Sequence, residues 1–303
     1  MFAKLLKWNS SQITWYLELL IRAIGSDRSV SATEMQLISQ VFRYLKVDGE
    51  RKRLMQMLEN EAQPESPLVT PPDLSGSELG AAFADVALLL IADCEYSDDE
   101  RLYLENLARS FGFAERFFNG LMEWVAQGFH WKQGQLELVR QCVPEGEHLT
   151  EAITPVHLLN SEQKLWYAEV LLSAILADGV VEQDEVYLLK TLLGWIESPV
   201  DKNRLVELAK ARQKPPLSRP QGIKPSILQL IYLEVLYHFV FNGLFGEKER
   251  EFAKQLATAC QLSDSFVEKG YEWWHEGVEW KKGANMLLNQ AEFNLGRRAA
   301  PQG

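Results

Sequence analysis

The stretch Leu171-Leu-Ser-Ala-Ile-Leu-Ala-Asp-Gly-Val-Val-Glu-Gln-Asp-Glu185 ends one helix and begins another. Its apolar residues keep helical spacing up to Asp178-Gly179, a short acidic turn follows, and a new helix is expected to open near Glu182. A helix–turn–helix of this kind brings Asp178, Glu182 and Glu185 to one corner. The rest of the chain reads as weaker copies of this unit, joined by linkers.

Working outward, the stretch and its surroundings have a counterpart near the start of the chain. Trp166-Tyr167 is matched by Trp15-Tyr16, Ala174-Ile175 by Ala23-Ile24, Asp178 by Asp27 and Glu185 by Glu34, all without a gap. Further along, Glu249-Arg250 is matched by Glu100-Arg101, Trp273 by Trp124, Gly277 by Gly128 and Trp280-Lys281 by Trp131-Lys132. Self-similarity at a fixed spacing signals an internal duplication. Each copy holds two helix–turn–helix units, with corners at Asp27, Asp93, Asp178 and Asn242. The spacing predicts helices from Ile13 to Ile24, from a capping box at Ser31–Glu34 to Leu45, from Glu78 to Asp93, from a second box at Ser97–Glu100 to Gly112, and from Ala114 to Gln127. Stretches rich in Pro, 63–77 and 214–225, are linkers. No period-2 pattern of any length is present. The expected fold class is all-α, tandem helical bundles built from four helix–turn–helix units. The expected division is a first domain over 1–142, a linker over 143–160, a second domain over 161–290 and a flexible tail over 291–303.

With 303 residues, the chain is long enough for two domains. Its formal net charge of −11 disfavours nucleic acid and anionic membrane surfaces as partners, because both are bound through clustered Lys and Arg. Cys94, Cys142 and Cys260 lie far apart with no CxxC spacing, as expected of reduced thiols in a cytoplasmic protein. The stretch after Lys4 and Lys7 carries Glu18 and Arg22, which argues against a signal peptide. Ile227 to Phe245 has about the length of a membrane span, but Gln229, Glu234, His238 and Asn242 interrupt it, so a buried bundle helix is expected and membrane association is not.

Ala177-Asp178-Gly179 followed by Glu182 and Glu185 resembles the tellurite-resistance TerB-like family. The Ile91-Ala92-Asp93 turn with Asp98, Asp99 and Glu100, then a helix ending in Phe111-Gly112-Phe113, looks like the second half of the same domain. The resemblance covers most of the chain as two divergent tandem copies. It implies an all-helical bundle with acidic corners, a role in stress responses and divalent-cation binding at the corners, and related domains occur next to DnaJ-like co-chaperone modules. Two corners depart from the pattern: Arg28 and Ser31 stand in the first, and Asn242, Gly243 and Gly246 in the fourth. Cys94 takes the place of the Gly in the second. A cation site therefore carries over to the third corner, through Asp178, Glu182 and Glu185, and next to the second, through Asp93, Glu95 and Asp98. Ca²⁺ or Mg²⁺ is the ion that oxygen ligands of this kind take; no other cofactor is expected.

The same acids have a purely structural reading, because Asp and Glu in a first helical turn cap free N–H groups and complement the helix dipole. The Trp pairs 124/131 and 273/280, seven residues apart, either plug the bundle ends or form an exposed docking surface. His130, His148, His157, His238 and His275 show no zinc-ligand spacing. No P-loop, GxGxxG or GxSxG motif is present. The expectation is a non-enzymatic interaction or stress-response module with a protein partner. The alternatives are a metal-dependent enzyme using the acidic corners and a membrane-associated scaffold.

Overall fold

The computed structural model describes residues 5–26, 38, 41–59, 68–92, 96–142, 156, 159–177, 189–190, 192–241 and 246–295, and among these every regular element is a helix. The α-helices are α1 (Ser10–Ile24), α2 (Asp48–Glu59), α3 (Gly76–Leu90), α4 (Asp98–Phe111), α5 (Glu115–Arg140), α6 (Ser161–Ile175), α7 (Pro199–Ala211), α8 (Pro225–Phe241), α9 (Glu247–Cys260) and α10 (Asp264–Leu295). The chain divides into two compact units. Unit 1 holds residues 1–133 and 282–303, and unit 2 holds 134–281.

The two sets of five helices follow the same order and share local devices. Asn9 caps α1 and Asn160 caps α6, each in a reciprocal box with the Gln three residues on. Arg53 of α2 reaches Glu18 of α1 at 2.9 Å, and Arg204 of α7 pairs with Glu169 of α6. Burial pushes the Glu18 carboxyl up, but hydrogen bonds and charge from Arg22 and Arg53 outweigh it and leave the group below its usual range. Buried Glu100 and Glu249 occupy the third position of α4 and α9.

In unit 1, α1 packs on α2 and α3, and α3 on α4; in unit 2, α6 packs on α7, α8 and α9, and α8 on α9. The central helices α3 and α8 are apolar on nearly every side, and their residues are buried accordingly: Phe83, Val86 and Leu90 in one, Ile231, Leu236 and Phe239 in the other. The stretch from Ile227 thus serves as a core helix, and no helix among the described residues is long and apolar enough to cross a membrane.

The largest departure from the sequence reading lies in the long helices. A break is expected after Gln127, yet α5 runs through Gly128 and Gly134 to Arg140. Glycine costs a helix interior roughly 1 kcal/mol relative to Ala. A Cβ on Gly134 would sit 3.5 Å from Cδ1 of Trp273, an ordinary contact distance, so burial along the helix rather than room for a neighbour carries it past this residue. The compact units divide inside α5 and α10, after Gln133 and after Lys281, rather than in the stretch 143–160. The first capping box, Ser31–Glu34, lies outside the described residues, and the second is present: Ser97 N–H donates to Glu100 Oε2 at 2.6 Å and Glu100 N–H to Ser97 Oγ at 3.1 Å.

The helices before the two long ones end alike. Gly112 closes α4 with φ 70°, and Gln261 closes α9 with φ 56°. The left-handed region is open to Gly and strained for Gln. Gln261→Gly is therefore expected to raise stability by about 0.5–1 kcal/mol, read as a higher urea midpoint at unchanged slope; no gain would mean that the Gln261 side chain contributes contacts of equal worth.

Candidate functional site

Of the six acids that sequence reasoning singled out, Asp178, Glu182, Glu185, Asp93 and Glu95 lie outside the described residues. Asp98 is described. It stands in the first turn of α4 with its side chain 97% exposed and an ion pair to Arg101 Nε at 3.6 Å. That placement suits the helix dipole. Among the described residues no group of three or more His, Cys, Asp or Glu could hold a metal ion.

The approach to the third corner is described up to Ala177. Helix α6 ends at Leu176, whose N–H donates to the carbonyls of Ala174 and Leu172, and both Leu176 and Ala177 are buried. The Ala177 carbonyl points out of the helix end and accepts a hydrogen bond from Lys214 Nζ at 3.2 Å. An ammonium at a helix C-terminus offsets the negative end of the dipole. Lys214 belongs to a stretch that the sequence reads only as a linker, which is why it was not singled out.

Next to this contact, unit 2 carries an open cavity of about 550 Å³. Its floor is apolar, from Leu176 and Phe252, and its rim is charged, from Lys214, Glu247, Lys248 and Glu251. A second cavity of about 640 Å³ adjoins it and shares Glu251 and Gln255. Its walls are Pro215, Pro216 and Leu217 on one side and Lys254, Thr258 and Ala259 of α9 on the other. The two form one groove between the segment Lys214–Leu217 and a single face of α9. The spacing 247, 248, 251, 252, 254, 255, 258, 259 is the helical signal that could have located this face, but the alternation of charges along it looks like an ordinary solvated surface.

The remaining candidates resolve as follows. Trp124, Trp131, Trp273, Trp274 and Trp280 are all buried, which places both aromatic runs in the core rather than on a docking surface. Cys142 and Cys260 are buried free thiols, and burial pushes each up to about 12, so neither is poised as a thiolate at neutral pH. His130 and His275 are exposed and His238 is half-buried, while His148, His157 and Cys94 lie outside the described residues. Just before Ser97, the Tyr96 ring lies 5.9 Å from Phe129, and burial, then the Glu100 charge, pushes its hydroxyl up to about 12.

The chain matches no family model, no curated protein and no solved structure.

Proposed function

We propose that the protein is a non-enzymatic interaction module that takes a protein partner in the unit 2 groove, with Ca²⁺ or Mg²⁺ at the adjoining acidic corner tuning the contact. The groove supports this reading: an apolar floor with a rim of both charges suits a short peptide segment carrying an apolar anchor flanked by charged residues. Ala177 lines the groove, and Asp178 follows it in the sequence. The resemblance to TerB-like proteins adds a cytoplasmic stress-response setting, in which tellurite is one candidate stress.

The test blocks the groove without touching the core. Gln255 is exposed, lines both cavities and donates to Glu251 Oε1 at 2.9 Å. A tagged Gln255→Trp chain is expected to melt as the wild type does and to lose the partner that the wild type captures from lysate. Capture of the same proteins by both would overturn the docking reading. The ion is tested separately by titration calorimetry on wild type and Asp178→Asn. Expected affinities are weak, about 10⁻⁴–10⁻³ M, the range of loosely organised oxygen sites. Absence of heat at millimolar Ca²⁺ or Mg²⁺ assigns the acids to helix capping alone, and binding that survives Asp178→Asn puts the ion elsewhere.

A further inference from the structure

The compact units and the sequence copies do not coincide. Residues 282–295 follow the second copy's Trp280-Lys281, yet they belong to unit 1. There a Cβ on Gly120 would sit 3.2 Å from Cδ2 of Leu287, and one on Gly283 would sit 3.7 Å from Cδ1 of Trp124. Ala284 is buried in the same segment. The converse holds in unit 2. It begins at Gly134, inside the first copy's long helix. Gly134 faces Trp273, Lys269 Nζ donates to Gln141 Oε1 at 3.4 Å, and Leu138, Val139 and Cys142 are buried.

The two glycine–tryptophan contacts are reciprocal. Trp124 and Trp273 are matched positions of the two copies, as are Gly134 and Gly283. Each copy's Trp therefore packs on the other copy's Gly. Within a copy the Trp and the Gly lie on one helix, about 15 Å apart along its axis, so this contact is made only between the two long helices.

We infer that the chain consists of two mutually incomplete halves that exchange the ends of their long helices, Gly134–Arg140 of the first completing unit 2 and Lys282–Leu295 of the second completing unit 1. Each half is the partner of the other, and the surface that either half presents is shaped for a half of its own kind. The tightest of these approaches is Gly120 against Leu287, where an added Cβ at 3.2 Å would force the neighbour to give way. The exchange also makes the covalent link between the halves dispensable for holding them together, since each contributes core residues to both units.

The full chain carrying a site-specific protease sequence within residues 143–155 tests this. After cutting, the two fragments are expected to co-elute as one particle near the uncut 34.6 kDa under native conditions, and to separate only in denaturant. Elution as two folded, separate fragments overturns the inference. A second measurement uses the uncut chain and so decides the matter even if cutting causes precipitation. Leu287→Ala lies in the second half of the sequence but inside unit 1. It is expected to raise amide exchange severalfold over 115–125 while leaving 225–241 as in wild type. A rise confined to unit 2, or no rise over 115–125, overturns the exchange of helix ends.

Discussion

Replacing Trp274 by alanine is expected to lower the stability of unit 2 by about 3–5 kcal/mol, the usual cost of deleting a large buried aromatic side chain. Trp274 is fully buried. Its ring centroid lies 5.4 Å from that of Phe239 on α8, and it stacks on Tyr271 at 5.6 Å; Phe239 in turn meets Phe252 of α9 edge-on at 6.2 Å. The indole thus fills the space where three helices meet. Part of the cost is lost transfer energy and part is the cavity. Trp280→Ala belongs to the same class, since Trp280 is 5% exposed. Urea unfolding followed by far-UV circular dichroism reads the loss as a lower midpoint, with the possibility of two transitions for two units taken into account. A loss below about 1 kcal/mol would contradict the core placement of this run.

The second large effect concerns the buried pair of Tyr16 and Asp85. Tyr16 has no exposed surface, Asp85 is 4% exposed, and the tyrosine hydroxyl donates to Asp85 Oδ2 at 2.8 Å. Tyr16→Phe removes the donor and leaves the carboxylate without that bond, at an expected cost of about 1.5–3 kcal/mol near neutral pH. The same pair sets an alkaline limit. Burial first, then the Asp85 charge and the hydrogen bond to it, push the Tyr16 hydroxyl well above its ordinary 10.0. A folded value raised above the unfolded one means that the native state holds its proton more tightly. The contribution to stability is therefore complete below about pH 10 and is lost as pH rises through the folded value. Half-buried Tyr103 and buried Tyr232 are also raised, chiefly by desolvation, and Tyr96 is pushed up to about 12, so all four act in the same direction. Urea midpoints for the wild type are expected to hold between pH 8 and about pH 9.5 and to fall above about pH 10. The fall should be shallower in Tyr16→Phe, measured over the same pH series. An equal slope in both chains would show that Tyr16 does not contribute to the alkaline limit.

The helical class was legible in the residues because its signals are local. The capping pair Ser97/Glu100, the apolar spacing of the stretch before Asp178 and the lack of any period-2 run each depend on neighbours a few positions apart. The burial of the stretch from Ile227 follows likewise, since a helix apolar on all sides has to be covered. The matched positions from Trp15 and Trp166 to Trp131 and Trp280 were equally open to reading, as they need only comparison of the chain with itself.

Gly134 and Gly283 show what the sequence by itself could not decide. Locally each weakens a helix, and a break is expected after Gln127, where Gly128 opens the stretch that runs to Gly134. Only the arrival of Trp273 and Trp124 from distant sequence turns them into contact points, and that packing outweighs a propensity cost of roughly 1 kcal/mol. Lys214 is a similar case. In sequence it opens a stretch rich in Pro, and its bond to the Ala177 carbonyl exists because the fold brings the end of α6 beside it. The acid corners themselves were named from local pattern, and whether Asp178, Glu182 and Glu185 ligate or cap depends on where three carboxylates converge in space. Helical class is determined by interactions within a few residues, which the sequence states directly. The groove, the exchanged helix ends and the partners of each Trp are determined by contacts between residues far apart, and these exist only once the chain has closed on itself.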